Sequence, residues 1–165
     1  MIQAVARDEV WNLHEAHAPG LFKLAAVLVG HSGNAEDIVQ EAFLAYLRAA
    51  PGPEAGKELA YLRRTVINLA HGHHRRLGRL RRVRLDAVGD HPSAEAEAAL
   101  SQRRRQIVTA VRSLPARQRD AVVLHYFTGL TDTEIAEVLG VSSGSVKTHL
   151  HRARATLAKR LEELR

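Results

Sequence analysis

Between residues 147 and 154 the sequence gathers Lys147, Thr148, His151, Arg152 and Arg154. These are cations and hydrogen-bond donors whose forked or ring-shaped groups match phosphate oxygens and base edges. Far upstream, Glu36, Asp37, Gln40 and Glu41 fall at helical spacing and form one acidic face. A third group, His71, His73 and His74, invites a metal, since imidazole is the commonest transition-metal ligand. Adjacent and alternate positions on a helix diverge, however, whereas i, i+4 pairs converge, so no metal site is expected there. The chain carries no nucleophile motif, phosphate-cradling loop or carboxylate pair of catalytic spacing, which argues against an enzyme. The chemistry on offer is that of binding, and no cofactor is called for.

The elements that must position these groups are helices. Ala, Leu, Arg and Glu dominate, and no segment sustains the alternation of a strand, so an all-α fold is expected. A first helical block runs from about residue 8 to 76 and is interrupted at residues 30–34 and again at residues 51–56, which gives three or four helices. Within residues 35–49, Ile38, Ala42, Ala45, Leu44 and Leu47 recur at helical spacing and are assigned to a buried face opposite the acidic one. Residues 75–99 change character, from an Arg-rich run through Gly, Asp and Pro to an Ala/Glu stretch without a strong apolar stripe, and this reads as a linker.

A second block opens at Ser113-Leu114-Pro115, where Pro115 suits a first helical turn. Thr128-Gly129-Leu130 ends that helix. Thr131 and Glu134 have capping-box spacing, and Gly140-Val141-Ser142 makes a tight turn before a long helix from Ser143 to about Glu163. Ile135, Ala136 and Leu139 would face Val141, Val146 and Leu150 across that turn, which is the pattern of a helix-turn-helix. The stripe Val146, Leu150, Ala153, Leu157 and Leu161 leaves the basic cluster on the outer side of the long helix, sized for a major groove.

Charge follows the same division. The chain has 24 Lys+Arg against 18 Asp+Glu. Residues 1–74 hold 6 basic and 8 acidic groups, whereas residues 101–165 hold 12 and 6, so the excess that would favour a polyanion lies in the second half. With no cysteine, disulfides, thiolate-bound zinc and a direct thiol switch are excluded. No apolar run approaches the roughly 20 residues of a membrane span and no secretory signal is visible, so a cytoplasmic protein without membrane insertion is expected.

The segments LPARQR (114–119) and GLTDTEIAEVLGVSSGSVKTHLHRAR (129–154) closely resemble region 4 of extracytoplasmic-function (ECF, group 4) sigma factors of the sigma-70 family. LuxR-type regulators share a similar helix-turn-helix, and an autonomous LuxR-type regulator is the alternative reading. AEDIVQEAFL (35–44) is similar to sigma region 2.2, and AYLRRTVINLA (60–70) to regions 2.3 and 2.4, which favours the sigma factors. The resemblance implies two small helical domains, region 2 over residues 1–76 and region 4 over residues 101–165, joined by a flexible linker at 77–100. It also implies partners: core RNA polymerase through its β′ clamp helices and β flap, promoter DNA, and an anti-sigma factor or other regulatory protein.

By the same resemblance, Asp37, Gln40 and Glu41 would dock on the clamp helices. The loop at residues 51–58 and Asn68 would capture a flipped base of the −10 element, with Tyr61, Arg63, Arg64, Arg75, Arg76 and Arg79 nearby on the promoter strands. Lys147, Thr148, His149, His151, Arg152 and Arg154 would contact the −35 element. Three positions depart from the family's pattern: Tyr61 stands where tryptophan is usual, Ile67 where arginine is frequent, and His71-Gly72-His73-His74 replaces an aliphatic-Asp-His pattern.

Overall fold

The computed structural model describes residues 2–30, 32–81 and 95–162. Among these, seven helices follow one another: α1 (Ile2–Val29), α2 (Ser32–Arg48), α3 (Glu58–Arg81), α4 (Glu95–Arg112), α5 (Ala116–Thr128), α6 (Asp132–Leu139) and α7 (Ser143–Glu162). No strand occurs among the described residues, as the composition requires. The stretch read as a linker is helical at both ends, with α3 running on to Arg81 and α4 starting at Glu95; the Ala and Glu there are strong helix formers without needing an apolar stripe. Its middle lies outside the described residues.

Helices α1, α2 and α3 pack mutually as one bundle, and α4 to α7 form a second around the helix-turn-helix. In α2 the buried positions are Ala35, Ile38, Val39, Ala42 and Phe43. The buried stripe thus runs beside the one expected. Leu44 and Leu47, assigned above to the core, are 46% and 54% exposed and share the solvent face with Asp37, Gln40 and Glu41. Apolar type alone could not distinguish the two faces, because α2 carries large aliphatic residues on both, Ile38 and Val39 inside and Leu44 and Leu47 outside.

The second bundle keeps the punctuation read from the sequence. Gly129 and Gly140 end α5 and α6 in the left-handed conformation, with φ of 71° and 64°, a region open to glycine at no steric cost. Thr131 and Glu134 form the capping box: Glu134 N–H donates to Thr131 Oγ1 at 3.3 Å and Thr131 N–H to Glu134 Oε2 at 2.8 Å. Ser142 Oγ receives Ser145 N–H at 3.1 Å and so caps α7. Pro115 sits one place earlier than expected, at the N-cap of α5 rather than in its first turn. Its carbonyl accepts from Arg119 N–H at 2.9 Å, and it has no donor to leave orphaned.

The two bundles share one apolar core. Leu24, Leu28, Leu62 and Val66 of the first belong to the same buried cluster as Leu124, Ile135, Val138 and Val146 of the second. Polar ties cross the same seam. Arg112 Nε and Nη2 donate to the Val27 and Ala26 carbonyls at 3.0 and 3.2 Å, closing the C-terminal end of α1, whose last carbonyls lack partners within the helix. Gly30 allows this on two counts. Its φ is +91°, and a Cβ there would stand 2.4 Å from Arg112 Nη1. Burial pushes the Arg112 pKa down, and neighbouring Arg119 adds to that.

Candidate nucleic-acid and polymerase interface

The outer surface of α7 follows from the residues that α7 buries. Val146, Leu150 and Ala153 are fully enclosed, and with 100° between successive positions the exposed side divides into neighbouring rows. Lys147, His151 and Arg154 form one row; Thr148 and Arg152 form the next, and all five are exposed. Thr148 Oγ1 donates back to the Gly144 carbonyl at 3.0 Å, which leaves its oxygen lone pairs outward. His149 is separated from them, half-buried on the opposite flank. The arc is cationic and continuous, on the second helix of a helix-turn-helix, where such proteins meet a major groove.

On α3, Tyr61, Arg64, Asn68 and Arg75 fall in one row, with Arg64, Asn68 and Arg75 exposed. Tyr61 is partly buried and meets the Tyr46 ring edge-on, centroids 6.0 Å apart. Arg76 is exposed on another side, and Arg63 is half-buried. Burial lowers the Arg63 pKa, while Glu134 of α6 acts in the opposite sense. The side chain of Arg79 lies outside the described residues. The loop at residues 51–58 is held at its end by Gly56 N–H to Glu58 Oε1 at 3.0 Å and by an ion pair between Lys57 and Glu137 of α6.

Of the three histidines, the structure gives a partner to His71. His71 turns to α5, where its Nε2–H donates to Asp120 Oδ1 at 3.0 Å; the Asp120 side chain has no exposed surface. His74's side chain lies outside the described residues. Ile67, the apolar departure from the family pattern, is 3% exposed in the shared core, on the flank of α3 that carries Arg63 and His71. An arginine there would be a buried charge.

Asp37, Gln40 and Glu41 are exposed on α2 and continue into Leu44, Leu47 and Arg48 along one face. An acidic half running into an apolar half has the composition of a protein-docking surface rather than of a nucleic-acid one. The two leucines are the part of this surface that sequence reading missed. The i+3 and i+4 steps from Gln40, Glu41 and Leu44 lead to them, but spacing alone did not separate this row from the buried one.

Comparison with known proteins bears on this arrangement of faces. Residues 13–80 match the family model for Sigma-70 region 2, and residues 104–157 that for Sigma-70, region 4. The chain is 34% identical over 161 residues to the ECF RNA polymerase sigma factor SigL of Mycobacterium tuberculosis, covering 92% of this chain and 88% of SigL. This chain belongs to the ECF RNA polymerase sigma factors. It is also 35% identical over 153 residues to ECF sigma factor SigE of Mycolicibacterium smegmatis, covering 89% of this chain but only 60% of SigE. Among solved structures it resembles the sigma factor RpoE in complex with the anti-sigma factor NepR from Bartonella quintana, with a TM-score of 0.71 and 23% identity over 93% of this chain and 97% of that one. CnrH in complex with the cytosolic domain of CnrY gives a TM-score of 0.67 at 23% identity, over 95% and 90%. Those two likenesses establish the sigma fold. The region 2 match ends within α3 and the region 4 match begins within α4, so the acidic–apolar face of α2 lies in region 2 and the basic arc of α7 in region 4. Among the described residues no helix is long and apolar enough to cross a membrane.

Proposed function

We propose that this chain binds core RNA polymerase and directs promoter-specific initiation, with region 2 engaging the −10 element and region 4 the −35 element. The observation that carries this reading is the pairing of two unlike faces on one chain: an acidic–apolar protein-docking face on α2 and a cationic groove-sized arc on α7. A protein that recruits an enzyme to DNA needs both; an autonomous regulator would use a protein face to pair with its own copy, and an acidic face repels its like. In this reading Asp37, Gln40, Glu41, Leu44 and Leu47 meet the β′ clamp helices. Tyr61, Arg64, Asn68 and Arg75 lie along the −10 strands beside the loop at 51–58, and Lys147, Thr148, His151, Arg152 and Arg154 lie on the −35 duplex. His149 is assigned the edge of that contact. A regulatory protein partner of the anti-sigma kind follows by analogy with the complex of RpoE with the anti-sigma factor NepR, and the setting would be cytoplasmic.

The −35 assignment is tested through Arg152, the most outward cation of the arc. With polymerase holoenzyme and a library randomised over the −35 element, Arg152→Ala costs roughly 1–3 kcal/mol and relaxes preference at one position. An equal loss on every sequence would make Arg152 a phosphate contact and leave base reading to its neighbours.

A further inference from the structure

Tyr126 closes the last turn of α5 with 57% of its surface exposed, a large aromatic left in solvent beside the basic arc of α7. It is not idle there. Arg154 Nε donates to the Tyr126 hydroxyl at 2.9 Å, and the guanidinium carbon stands 5.9 Å from the centroid of the same ring. The tyrosine is itself buttressed by His125, whose ring meets it edge-on at 4.8 Å and 87°. Arg154 is thus held by one nitrogen only. Its two terminal nitrogens have no hydrogen-bond partner among the described residues, and they form the end of the guanidinium fork that clasps two oxygens of one anion.

We infer that Tyr126 is a positioning residue for DNA: it holds Arg154 in the orientation in which the terminal nitrogens grip a backbone phosphate at the shoulder of the −35 site. This rests on the reading of α7 as the DNA-contacting helix. The ligand is a phosphate rather than a base edge because Arg154 is held on the flank of α7 beside α5 by Tyr126, away from the outer side that carries Thr148 and Arg152 and would enter the groove. Its row also contains Lys147 and His151 and no carboxylate, so nothing on that flank competes for the fork. A free arginine loses rotamer freedom when it binds; one already held by Tyr126 loses less, which favours association without adding a contact.

The test uses the full chain with core polymerase and a labelled duplex chosen by that holoenzyme from a random library, with affinity followed over a range of NaCl. Arg154→Ala is expected to weaken binding equally on all −35 variants and to flatten the salt dependence by about one ion. Tyr126→Phe keeps the ring but removes the hydrogen bond. It is expected to weaken binding about 3- to 10-fold with an unchanged melting temperature, an unchanged −35 preference and a partly flattened salt dependence. In an Arg154→Ala background Tyr126→Phe should have no further effect. The inference is overturned if Tyr126→Phe binds as wild type while Arg154→Ala does not, if the two losses multiply independently, or if Arg154→Ala alters base preference. Should the wild-type holoenzyme select no −35 sequence at all, the underlying reading fails along with it, whereas intact selection with a silent Tyr126→Phe rejects the positioning role alone.

Discussion

Asp120 is a carboxylate with no exposed surface, in a helix that otherwise buries Ala121, Val122, Val123 and Leu124 around it. Burying a charge is costly unless a partner compensates it, and here the partner arrives from the other bundle as His71 Nε2. The pair therefore acts as a condition on docking, since separating the bundles breaks it. His71→Ala leaves Asp120 buried without its donor and is expected to destabilise the chain by roughly 1–3 kcal/mol. The double variant His71→Ala, Asp120→Ala should recover part of that loss, because no orphaned carboxylate remains. Denaturant titration of the two variants side by side measures the difference, and equal losses would mean that the pair contributes nothing beyond packing. None of this was legible in the sequence. A histidine run suggests a metal by composition, but the partner that His71 finds, Asp120, is 49 positions away. No local pattern joins residues so distant. Thr131 and Glu134 were legible because their bond spans three positions and depends only on helix geometry.

At the scale of the element, α6 is short enough that its start must be secured. Thr131→Ala removes the cap and should cost about 1 kcal/mol. The other half of the box is charged, and it responds to pH. The Glu134 carboxyl is held below its ordinary value, chiefly by the Thr131 backbone N–H and then by the Thr131 hydroxyl, with a smaller contribution from Arg63. A carboxylate whose pKa is lower folded than unfolded stabilises the fold above its unfolded value, about 4.3, and this contribution fades as pH falls through the folded one. Glu134→Gln can still accept the N-cap bond, yet it should lack this part of the acid sensitivity. Thermal melts between neutral and strongly acidic pH would compare the two; parallel curves would contradict the assignment. Helix α2 shows the limit of periodicity. Its spacing announced a helix and an acidic face, but with leucine at both 44 and 47 the pattern could not say which apolar row met α1 and α3. Exposure resolves it, and on the proposed reading of the α2 face Leu47→Asp and Asp37→Arg should each weaken association with core polymerase at least about tenfold while leaving the melting temperature close to wild type. Unchanged affinity in a pull-down would remove α2 from the interface.

At the scale of the whole molecule, the division into two helical domains was visible from motif order and charge, but their common core was not, because apolar patterning marks a buried face without naming what covers it. Region 4 lies along one edge of the region 2 row on α3. Arg64 approaches Gly140 to 3.4 Å of a Cβ position there, Lys57 pairs with Glu137, and His71 is bonded to Asp120. Among the described residues the α2 face and the outer arc of α7 are exposed in the same arrangement, which is compatible with the proposed polymerase docking and −35 contact. The most direct measurement is run-off transcription by core polymerase supplied with the purified chain on a promoter library. Discrete start sites with shared −10 and −35 elements, lost with Asp37→Arg, are the predicted result. Failure to select any start site, together with a footprint of the chain alone on a symmetric duplex, would contradict the account and make the protein an autonomous regulator of the LuxR type.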